Sequence, residues 1–196
     1  MRKLNRRILI LCEGVTEYLY AKALQMELPR HLQRSVSIEI SYSSRNDPKS
    51  LIQEAIRKSK QAKKERNPYD DIWLFFDHDN SPHLTEVFSV IEKENFAYAY
   101  SAMCIEHWFI LHFEDCGRAF QTGEEAEKHL KKLLPTYHKT KINAYVELSQ
   151  YLAIAIDRAE RLRRKQEREG VHKHQRNPYF TVQDLVAFFN RLKEDK

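Results

Sequence analysis

Nowhere in its 196 residues does the chain approach the ~20 consecutive apolar residues that a membrane-spanning helix needs. The basic start, Met1-Arg-Lys-Leu-Asn-Arg-Arg7, has the charge of a secretory leader. The apolar stretch behind it, Ile8-Leu-Ile-Leu-Cys12, is short and stops at Glu13, too brief for a leader's hydrophobic region. Cysteine is scarce: three residues, an odd number without CxxC spacing, argue against a disulfide framework. No internal repeat is visible. Apolar material is not lacking, because a 42% hydrophobic and 11% aromatic composition can build a core and excludes a wholly disordered chain. These features predict a soluble, cytoplasmic, globular protein with no membrane partner. At roughly 100–200 residues per domain it is a single unit.

Charge of one sign is also missing. Lys and Arg number 33 against 28 Asp and Glu, a formal balance of +5, and the distribution says more than the sum. Basic residues gather at Arg2, Lys3, Arg6 and Arg7, at Arg57 to Arg66, and at Arg158, Arg161, Arg163, Arg164, Lys165 and Arg168. Each cluster alone reads equally as a solvated helix face. Three in one small chain tilt the expected partner toward a polyanion, whose phosphates Lys and Arg neutralise without regard to sequence.

The first hundred residues alternate strand and helix. Ile8–Cys12 is a continuous apolar run, as in a strand covered on both faces. Thr16 to Leu28 carries apolar residues at helical spacing up to Pro29, and Ser35–Tyr42 alternates as a half-exposed strand. A helix follows from Pro48 to Arg66, a turn at Asn67–Asp70, and a second buried strand at Asp71–Phe76 that runs out into Asp77-His-Asp-Asn-Ser-Pro82. Leu84, Val87, Phe88 and Ile91 mark a helix, and Phe96–Ser101 a last strand. The order predicts an α/β fold, a mostly parallel four-stranded Rossmann-like sheet flanked by helices. After Ser101 only helices are expected, at Glu106–Phe113, Glu124–Leu134, Ala144–Arg168 and Thr181–Lys193, with Glu169–Pro178 the sole linker-like stretch. Residues 1–118 thus form the α/β core, and 119–196 a helical extension packed on it.

In open α/β sheets the ligand site lies beyond the carboxyl ends of the strands, so the acids there are informative. The first strand ends in Glu13-Gly14, with Glu17 four residues on; the third ends in Asp77-His78-Asp79; the fourth leads to Glu106. If the first and third strands are neighbours, these carboxylates converge, and left unpaired each raises the pKa of the others. A hard divalent cation on oxygen ligands, Mg2+ or Mn2+, is the economical resolution. Simpler readings stand beside this one. Glu13-Gly14 alone is an ordinary turn, and Asp79 alone would serve as a helix cap.

Glu13-Gly14-x-Thr16-Glu17 after an apolar strand, with Asp77-x-Asp79 after a later one, resembles the TOPRIM fold of topoisomerases, bacterial primases and OLD-type nucleases. The remainder resembles the RloB proteins, through Cys104-Ile-Glu106-His-Trp108-Phe-Ile-Leu-His112-Phe113-Glu114 and the tail Asn177-Pro178-x-x-Thr181-x-Val-x-x-Leu185. The chain departs from that pattern at Ala102-Met103, where such proteins often carry Asn-Pro. The resemblance implies an Mg2+-dependent endonuclease, with Glu13 a metal ligand or general base and Asp77 and Asp79 holding the cation. Glu17 and Glu106 would complete a second metal position, two such ions standing roughly 3.5–4 Å apart. It also implies a restriction or phage-defence role, an ATPase partner encoded nearby, and RNA (tRNA) or DNA as substrate. Arg161, Arg164, Arg168, Lys173 and Arg176 would then guide the polyanion; a homo-oligomer is open.

Other readings remain beside this one. His112 serves either as a core histidine on a backbone carbonyl or as a support to an acid ligand. Trp108, Phe109, Leu111 and Phe113 read as core, Cys12 as a buried strand residue, and His172 to Arg176 as a basic loop. A phosphoacceptor receiver domain also places acids after its first and third strands and a Ser after its fourth, here Ser101, but it needs a fifth strand that the sequence does not offer. A TOPRIM domain that binds without cutting is the third alternative.

Overall fold

The computed structural model describes residues 6–43, 45, 47–77, 83–140 and 144–194. Strand β1 (Arg7–Cys12) lies between β2 (Ser37–Tyr42) and β3 (Asp71–Asp77), and β4 (Ala97–Ser101) completes a sheet in the order β2-β1-β3-β4. Every neighbouring pair is parallel, and the registers set Cys12 beside Tyr42 and Phe75, and Asp77 beside Ser101. All four carboxyl ends therefore share one edge.

Alternation of side chains across each strand divides the interior in two. Ile8, Ile10, Cys12, Trp73, Phe75 and Ala99 enter the larger core, shared with helices α1 (Val15–Met26) and α5 (Ile105–Phe113). Leu11, Leu74, Phe76 and Tyr100 enter a second core beneath α3 (Pro48–Lys64) and α4 (Leu84–Glu94). Because both faces are covered, β1 and β3 read as unbroken apolar runs. The starts and stops are local chemistry. Asp47 caps α3 by accepting from Ser50 N at 2.8 Å with Pro48 next to it, and Asn95 ends α4 in the left-handed region at φ 54°.

Helix α2 (Arg30–Ser35) was not expected; Ser35, read as the start of a strand, is its last residue. Helix α1 stops at Met26 with Glu27 as its C-cap, and Pro29 two residues on opens this next turn, since its fixed φ of −53° suits helix entry. Beyond β4 come α5, α6 (Gly123–Leu133), α7 (Ala144–Leu148), a 3-10 turn at Ser149–Tyr151, α8 (Leu152–Arg168) and α9 (Val182–Glu194). The stretch 144–168, read as one helix, is thus broken. Its first part packs on α1 and its second on α5, which one straight rod does not serve. The expected linker Glu169–Pro178 holds a 3-10 turn at Lys173–Gln175, and the chain just past it is fixed to the sheet. Phe180 bridges Ser101 antiparallel, Ala102 N donates to Tyr179 O and Thr181 N to Tyr100 O, each at 2.8 Å, so the tail closes the outer edge of β4. The larger core draws on both parts of the chain, from Ile8 to Leu192. Among the described residues no helix is long and apolar enough to cross a membrane.

Candidate active site

Since β1 and β3 are neighbours, their terminal acids meet. Glu13 N donates to Phe75 O at 2.8 Å, which carries the chain across the end of β3, and the buried Glu13 carboxylate accepts from Asp77 N at 3.2 Å. Gly14, extended at φ −134°, caps α1. A Cβ on Gly14 would stand 2.9 Å from Glu17 Oε2, so the missing side chain makes the space that the Glu17 carboxylate occupies. Glu13-Gly14 is therefore a turn whose glycine also shapes the site.

Glu17 is buried in the first turn of α1, and burial, reinforced by Glu106, pushes its carboxyl up to about 7, while its own and Gly14's backbone hydrogen bonds and Lys139 pull the other way. Glu106 stands in the first turn of α5, just 1% exposed, delivered there by the turn through Ala102 and Met103, the latter at φ 73°. Its carboxylate is not bare. Tyr137 Oη donates to Glu106 Oε1 at 2.8 Å, and Lys139 Nζ lies 3.3 Å from the same oxygen and 3.6 Å from Glu127. Thr16 donates to Lys139 O at 3.2 Å, fastening this segment to the start of α1. Burial alone would lower the Lys139 ammonium, but Glu106 beside it raises it. Burial and then Glu106 push the Tyr137 phenol up, so it stays a donor. Sequence reasoning missed Tyr137 and Lys139. They stand between α6 and α7 without motif or periodicity, and no signal in the sequence picks them out.

The neighbouring thiols are inert. Burial raises Cys12, helped by Glu17, and raises Cys104, helped by Glu106 and Asp77. Ser101 is buried and donates to Cys104 O at 2.7 Å, and among the described residues the sheet has only four strands, so the receiver reading finds neither an accessible hydroxyl nor its fifth strand. His112 Nδ1 sits 3.1 Å from Trp108 O and His107 Nε2 3.2 Å from Cys116 O, both in the core. His112 thus takes the core role weighed for it.

The structure thereby brings the acids to one edge as two pairs, Glu13 with Asp77 and Glu17 with Glu106, the second joined by Lys139. Their all-oxygen donor set suits a hard cation. Among the described residues no group of three or more His, Cys, Asp and Glu is arranged to hold a metal by itself; Asp79 lies outside the described residues. A family model described as RloB-like protein matches residues 8–189. The chain belongs to the RloB family. No curated protein and no solved structure matches it.

The Arg and Lys residues between 158 and 176 of this RloB-family protein fall into two groups. Arg164, Lys165 and Arg168 are exposed on α8. The others are engaged in the protein. Arg161 pairs with Asp115 and Asp157, each at 3.1 Å, and Arg158 donates to Leu111 O at 2.7 Å. Arg163 pairs with Glu160 and, at 2.8 Å, with Asp184, so Glu160 takes the partner three residues on, not Arg164. Lys173 lies 3.4 Å from Glu92, and Arg176, nearly buried, donates to Val171 O and stacks on Tyr179 at 5.0 Å.

Proposed function

We propose that this RloB-family protein is a metal-dependent nuclease that hydrolyses phosphodiester bonds in RNA, such as tRNA, or in DNA. On this reading it is the effector of a phage-defence or restriction system and works with an ATPase partner. The observation that carries the reading is the placing of Glu13 and Asp77 together at the carboxyl ends of the adjacent parallel strands β1 and β3, where α/β sheets bind ligands, with Glu17 and Glu106 paired in the first turns of α1 and α5 at the same edge. The resemblance of these acids to the TOPRIM pattern adds support. Glu13 and Asp77, with Asp79, would hold Mg2+ or Mn2+, which when bound supplies positive charge against the scissile phosphate and an activated water. Of the chain's own residues, Tyr137 orients Glu106, and Arg164, Lys165 and Arg168 offer the backbone phosphates a sequence-independent hold.

The test incubates the protein with tRNA and with DNA, with Mg2+, Mn2+ or a chelator, and with and without the neighbouring ATPase. Cleavage that requires the divalent cation and the acids is expected; binding without cleavage under every condition overturns the reading. One observation favours a second reading, a non-cutting nucleic-acid- or partner-binding domain: the Lys139–Glu106 ion pair already balances one acid of the set. The same assay separates the two.

A further inference from the structure

Glu17 and Glu106, read from the sequence as a second metal position, come with a cation that belongs to the chain. The Lys139 ammonium lies 3.3 Å from Glu106 Oε1, and Tyr137 Oη donates to the same oxygen at 2.8 Å. The lysine is held by its backbone as well as its charge. Its carbonyl accepts from Thr16 at the mouth of α1, Tyr137 N donates to Leu134 O at 3.0 Å, and the buried Tyr137 ring meets Phe109 edge-on at 5.9 Å. A surface lysine on a free four-carbon stem gains little from an ion pair. This one reaches an almost fully buried carboxylate from a segment anchored at three points, and Glu127 flanks it at 3.6 Å.

We infer that Lys139 is the second cation of the acidic site, so that the protein takes a single divalent ion, at the Glu13 and Asp77 side, and not the pair of ions the acid count invites. The inference rests on the nuclease reading and deepens it. An ammonium supplies one positive charge and three donors on a compact head. A hard divalent ion there would bring two charges and ask for about six oxygens. Glu106 already spends one oxygen on Tyr137 and Lys139, and a metal would have to evict the lysine and leave it in a half-buried setting beside only Glu127. Lys139 is therefore a positioning residue that holds Glu106 and Glu17 ready without a metal of their own.

The test counts Mn2+ bound to the full chain at neutral pH, from the electron paramagnetic resonance signal of the free ion, with circular dichroism as the check on folding. Wild type should bind one ion per chain. Lys139→Met, a change at a half-exposed side chain, should fold and bind two, because the vacated Glu17 and Glu106 now need a cation. Lys139→Arg should return the count to one, and Asp77→Asn should remove the wild-type ion. Two ions in wild type, or one in folded Lys139→Met, overturns the inference and leaves the nuclease reading standing. No bound ion in wild type overturns the metal-dependent reading itself and the inference with it. If Lys139→Met does not fold, Lys139→Gln, which keeps a polar side chain but no charge, takes its place: two ions uphold the inference and one defeats it.

Discussion

At the scale of single residues, the site depends on small groups as much as on acids. Gly14 is the clearest case, since its missing Cβ leaves room for the Glu17 carboxylate. Gly14→Ala should leave the fold intact, because the clash is with the far end of a flexible side chain. It should lower divalent-dependent cleavage on the order of 100-fold, the usual cost of displacing a site group by about an ångström. Matched melting curves and cleavage rates check it, and a full-rate Gly14→Ala protein removes Glu17 from the site. Asp77→Asn should abolish cleavage while preserving the circular dichroism, as the near-isosteric amide removes a charge and relieves crowding among acids; an active variant defeats the assignment. The acids were legible because they stand at strand ends beside recognisable apolar runs. Tyr137 and Lys139 were not, because more than thirty residues separate them from the last of those strands and only packing returns them to Glu106.

At the scale of elements, α5 and α8 divide the labour. Helix α5 is buried nearly all round, with Trp108 Nε1 donating to Tyr20 Oη at 3.0 Å across to α1, so Trp108→Ala should cost about 3–5 kcal/mol in urea unfolding. Helix α8 buries Ala155 and Ala159 and spends Arg158, Arg161 and Arg163 on partners within the protein, which leaves Arg164, Lys165 and Arg168 to solvent. If these three hold phosphates, their joint change to alanine should weaken binding to all sequences alike. The slope of log affinity against log salt should flatten by roughly 0.9 per lost contact. Superimposable slopes would reduce them to a solvated face. The helical stripe and the basic excess of α8 were legible in the chain. Which arginines were free was not, because Asp115 and Asp184 reach them from other segments.

At the scale of the whole molecule, the core sets the pH response. His107 and His112 are buried neutral, and burial pulls both down from 6.5 to about 4. Between those values the unfolded chain binds the more protons, so stability is full above about 6.5 and falls with acidification, by roughly 2 kcal/mol per histidine between pH 7 and 5. Glu17, pushed from 4.5 to about 7, has the opposite sign in that window, so without divalent cation Glu17→Gln should lose stability on acidification more steeply than wild type. Denaturant melts at both pH values check this; equal losses would remove the Glu17 shift. The parallel α/β sheet, its strand ends and the acids on them were readable from the chain, since apolar runs, helical spacing and caps are local and periodic. The chain also carried the RloB pattern. It was in the packed molecule that β1 came to lie against β3 and that residues 144–168 broke to serve two helices. The docking of the tail on β4 and the supply of Lys139 to Glu106 were settled there too. Each of those rests on contacts between residues far apart in the chain, which no local spacing encodes.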